Sequence, residues 1–140
     1  MPGHEQRGWA PAVIGDVGED DSDVYVVGIR EADTPESWSL LFMECHDAED
    51  PQEVNSGMDT YCLVVDPGQA TCYGGVRECE LGGGRLRLAL TEEAAGSLGM
   101  PADTSFALDL TPQQVDRLGR GLARVLTSGR ADAVPRRLHV

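Results

Sequence analysis

Three histidines, four cysteines and a dense set of carboxylates are the side chains of this sequence best suited to chemistry. Catalysis needs a nucleophile, a base and an electrophilic partner brought together, and a structural metal site needs ligands at short, fixed spacings. His4 and His139 lie near the two ends, which leaves His46 as the histidine placed to act. Its neighbours Cys45, Asp47 and Glu49 belong to no nucleophile motif. Adjacent side chains at a strand end also point to opposite faces, which separates Cys45 from His46. Cys62, Cys72 and Cys79 follow the spacing C-x9-C-x6-C, without the paired C-x2-C knuckles of a zinc site. They read as small apolar residues, with Cys62 and Cys72 on neighbouring strands. Glu44, Asp47, Glu49, Asp50 and Glu53 could gather a hard cation, but the glycine-punctuated ladder of a calcium loop is missing, so a solvated acidic loop is expected. Gly82-Gly83-Gly84 precedes a strand rather than a helix N-terminus, and is a turn, not a phosphate cradle. These residues predict no catalytic group, no cofactor and no metal.

The charge is distributed unevenly. The chain has 140 residues, a formal net charge of −13, and arginine as its sole basic type apart from histidine. Residues 1–66 hold 16 Asp and Glu against Arg7 and Arg30, a balance of −14, whereas residues 67–140 balance to +1. Such a field repels nucleic acid and anionic membranes and favours a basic partner. Solubility alone is the bland account of the same charge. No run approaches the roughly 20 apolar residues of a membrane-spanning helix. Residues 1–10 lack a basic segment followed by an apolar one, so a cytoplasmic protein is expected. Nothing in the composition fixes an oligomeric state.

The elements that must position these groups are mostly strands. Residues 9–17 read as an edge strand weakened by Pro11, residues 18–23 as a polar loop, and residues 24–29 and 38–45 as strands. Residues 46–56 carry almost no apolar surface and read as a long acidic loop. Residues 58–65 and 70–80 form a hairpin about Asp66-Pro67-Gly68-Gln69, where proline presets φ and glycine accepts φ > 0. Residues 85–90 alternate arginine or alanine with leucine, the mark of a sheet with one wet face. Thr91 caps a short helix that ends at Gly99. A last strand is expected over residues 105–110. Thr111, Pro112 and Gln114 then open an amphipathic helix with Val115, Leu118, Leu122, Val125 and Leu126 on one face. The expectation is an α+β single domain over residues 9–128: a mostly antiparallel β-sheet covered by this C-terminal helix and the short second helix. Residues 1–8 and 129–140 are terminal segments, the last without a pattern and able to pack across the domain.

Within the hairpin, Gly74-Gly75 interrupts a strand and marks either a bulge or a close approach of another backbone. Aromatic residues are scarce at 5%, so their positions carry weight. Trp38 and Phe42 read as core. Tyr61 and Tyr73 read equally as core residues or as rigid, amphipathic interface anchors.

The runs Gly57-Met58-Asp59-Thr60-Tyr61 and Cys72-Tyr73-Gly74-Gly75-Val76, on either side of the turn, resemble the immunity protein 10 family of bacterial polymorphic toxin systems. The resemblance extends, less specifically, from the first strand to the closing helix. It implies a cytoplasmic immunity protein without enzymatic activity, encoded beside a secreted toxin that it binds and neutralises. A nuclease-type toxin would hold phosphates in a basic cleft, which an acidic surface could occupy. The expected partner contacts are therefore Glu44, Asp47, Glu49, Asp50, Glu53, Asp59, Tyr61 and Tyr73. The hairpin with Asp59 would be structural spine and the acidic loop the partner-specific part. Two alternatives stand beside this: a small-molecule or metal-binding regulatory domain using the Tyr61, Tyr73 and Gly74 patch, and an enzyme built around His46.

Overall fold

Among the described residues, ten β-strands and two capped helices follow one another along the chain. A computed structural model describes residues 13–21, 24–32, 37–44, 61–66, 69–128 and 135–140. In chain order the elements are β1 (Val13–Ile14), β2 (Asp16–Asp20), β3 (Val26–Arg30), β4 (Ser39–Met43), β5 (Cys62–Asp66), β6 (Ala70–Tyr73), β7 (Val76–Gly82), β8 (Arg85–Leu90), α1 (Glu92–Leu98), β9 (Asp103–Leu108), α2 (Pro112–Leu126) and β10 (Arg137–His139). The α+β class read from the sequence is the class observed, but the strands divide into two five-stranded sheets.

The first sheet is an antiparallel meander in the order β2-β3-β4-β5-β6. Its register sets Val17, Ile29, Leu40 and Val65 in one row and Val27, Phe42, Leu63 and Cys72 in the next, all on the inner face. Val27, Ile29, Leu40, Phe42 and Leu63 are fully buried. Residues 18–20, expected in a loop, continue β2: Gly18, Glu19 and Asp20 pair with Gly28, Val27 and Val26. Backbone pairing with β3 overrides the turn-like composition there.

The second sheet runs β1-β9-β8-β7-β10, with antiparallel centre strands and a parallel strand at each edge. Leu86, Leu88 and Leu90 point inward as the alternation predicts. On the wet face, Arg87 donates to Glu78 (2.9 Å), Glu80 (3.2 Å) and Asp103 (2.8 Å), and Arg136 also donates to Glu78 (2.6 Å). Those two guanidinium groups lower the Glu78 carboxyl from its ordinary 4.5 to about 2. A carboxyl depressed in the folded state stabilises above its ordinary value, and that contribution drains away as pH falls from about 4.5 towards 2. The melting temperature of the wild type should therefore fall more steeply across that window than that of Glu78→Gln. Parallel curves for the two proteins would refute this account.

The chain passes between the sheets at glycines. Gly15 separates β1 from β2, and Gly74-Gly75 separates β6 from β7, with φ of +70° and +98°. The second crossing corrects the single long hairpin expected from the sequence. β5 and β6 pair as a hairpin, but β7 leaves for the other sheet. Both readings of Gly74-Gly75 were partial: the segment turns the chain and also admits a close neighbour, since a Cβ on Gly75 would lie 2.5 Å from the Ala94 Cβ of α1.

The helices start and stop as their caps dictate. The Thr91 side chain accepts from Ala94 N, and Gly99 closes α1 in the left-handed conformation. Thr111 and Gln114 form a reciprocal capping box with Pro112 in the first turn of α2. α2 packs on β3, β2 and β4, and α1 on β6, β5 and β8. Leu118, Leu122, Val125 and Leu126 join both inner faces in one core. Trp38 and Phe106 meet across the sheets with ring centroids 5.7 Å apart. The C-terminal residues, expected as a patternless tail able to pack across the domain, include a strand. β10 pairs in parallel with β7 through Arg137, Leu138 and His139, a three-residue strand too short to leave a periodic signal.

Candidate partner-binding surface

Of the residues expected to contact a partner, Glu44, Tyr61 and Tyr73 fall among those described. Asp47, Glu49, Asp50, Glu53 and Asp59 lie outside the described residues, as do Cys45 and His46.

Glu44 follows β4 and is 4% exposed. Arg124 of α2 donates to both of its carboxylate oxygens, at 2.7 and 3.2 Å, and the same guanidinium lies 4.1 Å from the centroid of the Tyr25 ring. The Tyr25 hydroxyl donates to Glu19 at 2.6 Å. Burial and that hydrogen bond raise the Tyr25 pKa, so the phenol stays protonated. The group ties β2, β4 and α2 together. Glu44 is thus a structural ion pair in this fold and presents no carboxylate to a partner, which corrects its place among the exposed contacts. Counting acids near a loop did not reveal a partner 80 residues further along the chain.

Tyr61 is fully buried, which removes it too from a contact surface. Its hydroxyl accepts from Val76 N at 3.1 Å, and its carbonyl accepts from Gly74 N at 2.8 Å. It holds the crossing between the two sheets from both sides. Burial raises its pKa to about 12, so it remains a neutral phenol. Of the two readings left open for this tyrosine, the structure places it in the core. Tyr73, at the end of β6, is 42% exposed. It borders a cleft of about 460 Å³ with Thr71, Cys72, Thr91, Glu93 and Ser97.

Cys62 and Cys72 do lie on adjacent strands, but in the register Cys62 faces Tyr73 and Cys72 faces Leu63. One step of offset sends the two thiols to opposite faces of the sheet. Burial raises the Cys72 pKa, and burial with the Glu80 carboxylate pushes Cys79 up to about 12. Neither is poised as a thiolate nucleophile. Among the described residues, no three His, Cys, Asp or Glu side chains gather as a metal site.

The outer face of the first sheet is the surface that sequence reasoning missed. Its register sets Asp20, Val26, Met43, Cys62 and Tyr73 in one row, and Gly18, Gly28, Leu41, Val64 and Thr71 in the next. Val26, Leu41, Met43 and Val64 remain half-buried there. The alternation in β3 and β4 is apolar on both faces, and that was the available signal.

This arrangement defines a class: an α+β domain with two five-stranded sheets around one core. A family model described as immunity protein 10 matches residues 11–116, from before β1 into the first turns of α2. The chain belongs to the immunity protein 10 family, and its role in that family is toxin-neutralising immunity with a protein toxin as partner. No curated protein and no solved structure matches it. No helix among the described residues is long and apolar enough to cross a membrane.

Proposed function

We propose that this chain is a cytoplasmic immunity protein, without enzymatic activity, that binds a cognate secreted toxin domain through an acidic surface. The observation that carries the reading is family membership across residues 11–116 in a chain whose first 66 residues balance to −14. A basic toxin cleft, such as a nuclease uses for phosphates, is the complementary feature. Opposite potentials accelerate encounter and set orientation. Neutralisation then needs binding alone.

Co-expression with the product of the adjacent toxin-like gene is the direct test. The expected result is rescued growth and a co-purifying complex whose association slows as salt rises. Replacing Asp47, Asp50 and Glu53 together by Asn and Gln should weaken that complex while leaving the fold intact. Growth arrest despite co-expression would remove the immunity reading. Association indifferent to salt would remove its electrostatic part.

One observation favours the small-molecule alternative: the cleft beside Tyr73 falls within the 300–1,000 Å³ typical of ligand pockets. A stoichiometric small molecule in native mass spectra of the purified chain would support it.

A further inference from the structure

An edge strand directs half of its main-chain N–H and C=O groups away from its own sheet. Such edges invite pairing with another strand, and proteins blunt them by shortness or charge. β1 and β10 have two and three residues, and β2 carries Asp16, Glu19 and Asp20. β6, at the other edge of the first sheet, is Ala70-Thr71-Cys72-Tyr73, four residues without a charge. Among the described residues no strand lies beyond it.

The ladder fixes which groups point outward. Gly74 N donates to the Tyr61 carbonyl at 2.8 Å, and the register from Cys62–Tyr73 to Val65–Ala70 continues without a shift. Hydrogen-bonded pairs alternate along an antiparallel ladder. Cys72 and Ala70 therefore bond to β5, and the Thr71 N–H and C=O point off the edge. The cleft of about 460 Å³ opens there, between Thr71, Cys72 and Tyr73 on one side and Thr91, Glu93 and Ser97 on the other. Glu93 is close enough to Cys72 to raise the thiol's pKa, which puts its carboxylate at the cleft. Glu93 has no ion-pair partner among the described residues.

We infer that the toxin adds an extended strand to β6, bonded through the Thr71 main chain, and that a cationic side chain of that strand reaches Glu93 in the cleft. This rests on the toxin-neutralising reading above. An open edge recognises main chain, so its occupant is an extended polypeptide segment, and pockets beside the edge read its side chains. Hydroxyl groups and one carboxylate line this cleft, which suits side chains that donate hydrogen bonds. Charge then decides between possible segments. A second copy paired edge to edge would bring another Glu93 and another formal charge of −13 against the first. A segment from the basic toxin surface proposed above complements both.

The test uses the full chain and the purified product of the adjacent toxin gene, after the wild type has been shown to bind it. Failure of that first step counts against the immunity reading, and later failures count against strand addition alone. Thr71→Pro removes the outward N–H and spares the β5 ladder, since proline is tolerated where an edge N–H faces outward. Thr71→Val changes the side chain and keeps that N–H. The expected result is at least a 30-fold loss of affinity for Thr71→Pro and less than a 3-fold change for Thr71→Val. If Thr71→Pro melts lower than the wild type, Ser97→Trp replaces it by filling the cleft, with at least a 10-fold loss expected. Gly96→Trp is its control, on the same helix where a Cβ meets nothing within 4 Å, and should change affinity less than 3-fold. Glu93→Lys should cost at least 10-fold at low salt and less at high salt. In the wild type, the Thr71 amide should exchange with solvent at least 10-fold more slowly in the complex than in the free chain. Equal losses for Thr71→Pro and Thr71→Val, or affinity within 3-fold of wild type for Thr71→Pro or its replacement, overturn strand addition. An inert Glu93→Lys overturns the cationic side chain. A Thr71 amide already protected in the free monomer assigns the edge to this chain's own segments, and a wild-type dimer that Thr71→Pro converts to monomer assigns it to a second copy. Either result overturns the inference.

Discussion

Gly75→Val should cost the protein about 3 kcal/mol or more, a large fraction of the roughly 5–15 kcal/mol by which an ordinary domain is stable. Two penalties coincide at this residue. Its φ of +98° is a conformation that L side chains rarely adopt, which by itself costs roughly 1–3 kcal/mol. Its Cβ would also sit 2.5 Å from the Ala94 Cβ, an overpacking that costs about 1–3 kcal/mol more. Ala94 cannot swing aside. It is 1% exposed, and its backbone N donates to the Thr91 cap of α1. Either the helix moves off β6 or the crossing between the sheets opens. Urea unfolding followed by tryptophan fluorescence measures the loss, and a change below about 0.5 kcal/mol, the usual scatter of surface substitutions, would show that the crossing tolerates a side chain.

Gly121→Val should be nearly as damaging, whereas Gly119→Ala, two residues away on the same helix, should be neutral or slightly stabilising. Helix interiors disfavour glycine by about 1 kcal/mol relative to alanine, so both positions look improvable from propensity alone. Their surroundings reverse that for one of them. A Cβ on Gly121 would meet the Tyr25 hydroxyl at 2.6 Å and the Val27 Cβ and Cγ2 at 2.8 Å. Tyr25 is held by Glu19 and Val27 is fully buried in β3, so neither can yield cheaply. The expected loss for Gly121→Val is about 3 kcal/mol, the upper end of overpacking in a filled core. A Cβ on Gly119 would meet the Leu81 Cδ2 at 3.3 Å, the free end of a flexible side chain, and the Val140 carbonyl carbon at an ordinary 3.5 Å. Melting temperatures of the two variants should move in opposite directions or differ by more than 5 °C. Equal shifts would mean that α2 does not rest on β3 through Gly121.

The legible parts of the fold were those with local causes. Thr111, Pro112 and Gln114 state where α2 begins, because every group in that cap lies within three residues of the next. Thr91 and Gly99 bound α1 in the same way. The leucine alternation of β8 survived because one face of its sheet is wet. The division into two sheets was not legible. β6 and β7 are separated by two residues and both have strand composition, and only the tertiary environment of Gly74-Gly75 sends them to different sheets. β10 escaped notice for a related reason, since it exists through pairing with β7 some 59 residues earlier.

The candidate surface was less legible than the fold. Tyr73 is on the surface, while Glu44 and Tyr61 are interior groups satisfied by Arg124 and Val76. Composition reports how many carboxylates a segment has, but not which of them meets a guanidinium from another element. Apolar residues on both faces of β3 and β4 read naturally as burial on both sides. Only the register brings Gly18 opposite Gly28 and leaves Val26 and Leu41 beside an opening.

The two edges of the second sheet have a consequence for how the chain folds. The meander β2 to β6 and the hairpin β7–β8 close through neighbours in sequence, and such contacts form early because little chain entropy is lost. β1 must find β9 across 94 residues, from Val13 to Ala107, and β10 must find β7 across 59. Each long-range edge adds only two or three residues of pairing, so it can form only after its docking strand exists. A refolding chain should thus acquire most of its secondary structure first. Its two ends should lock last, and their amides should be the first to exchange with solvent.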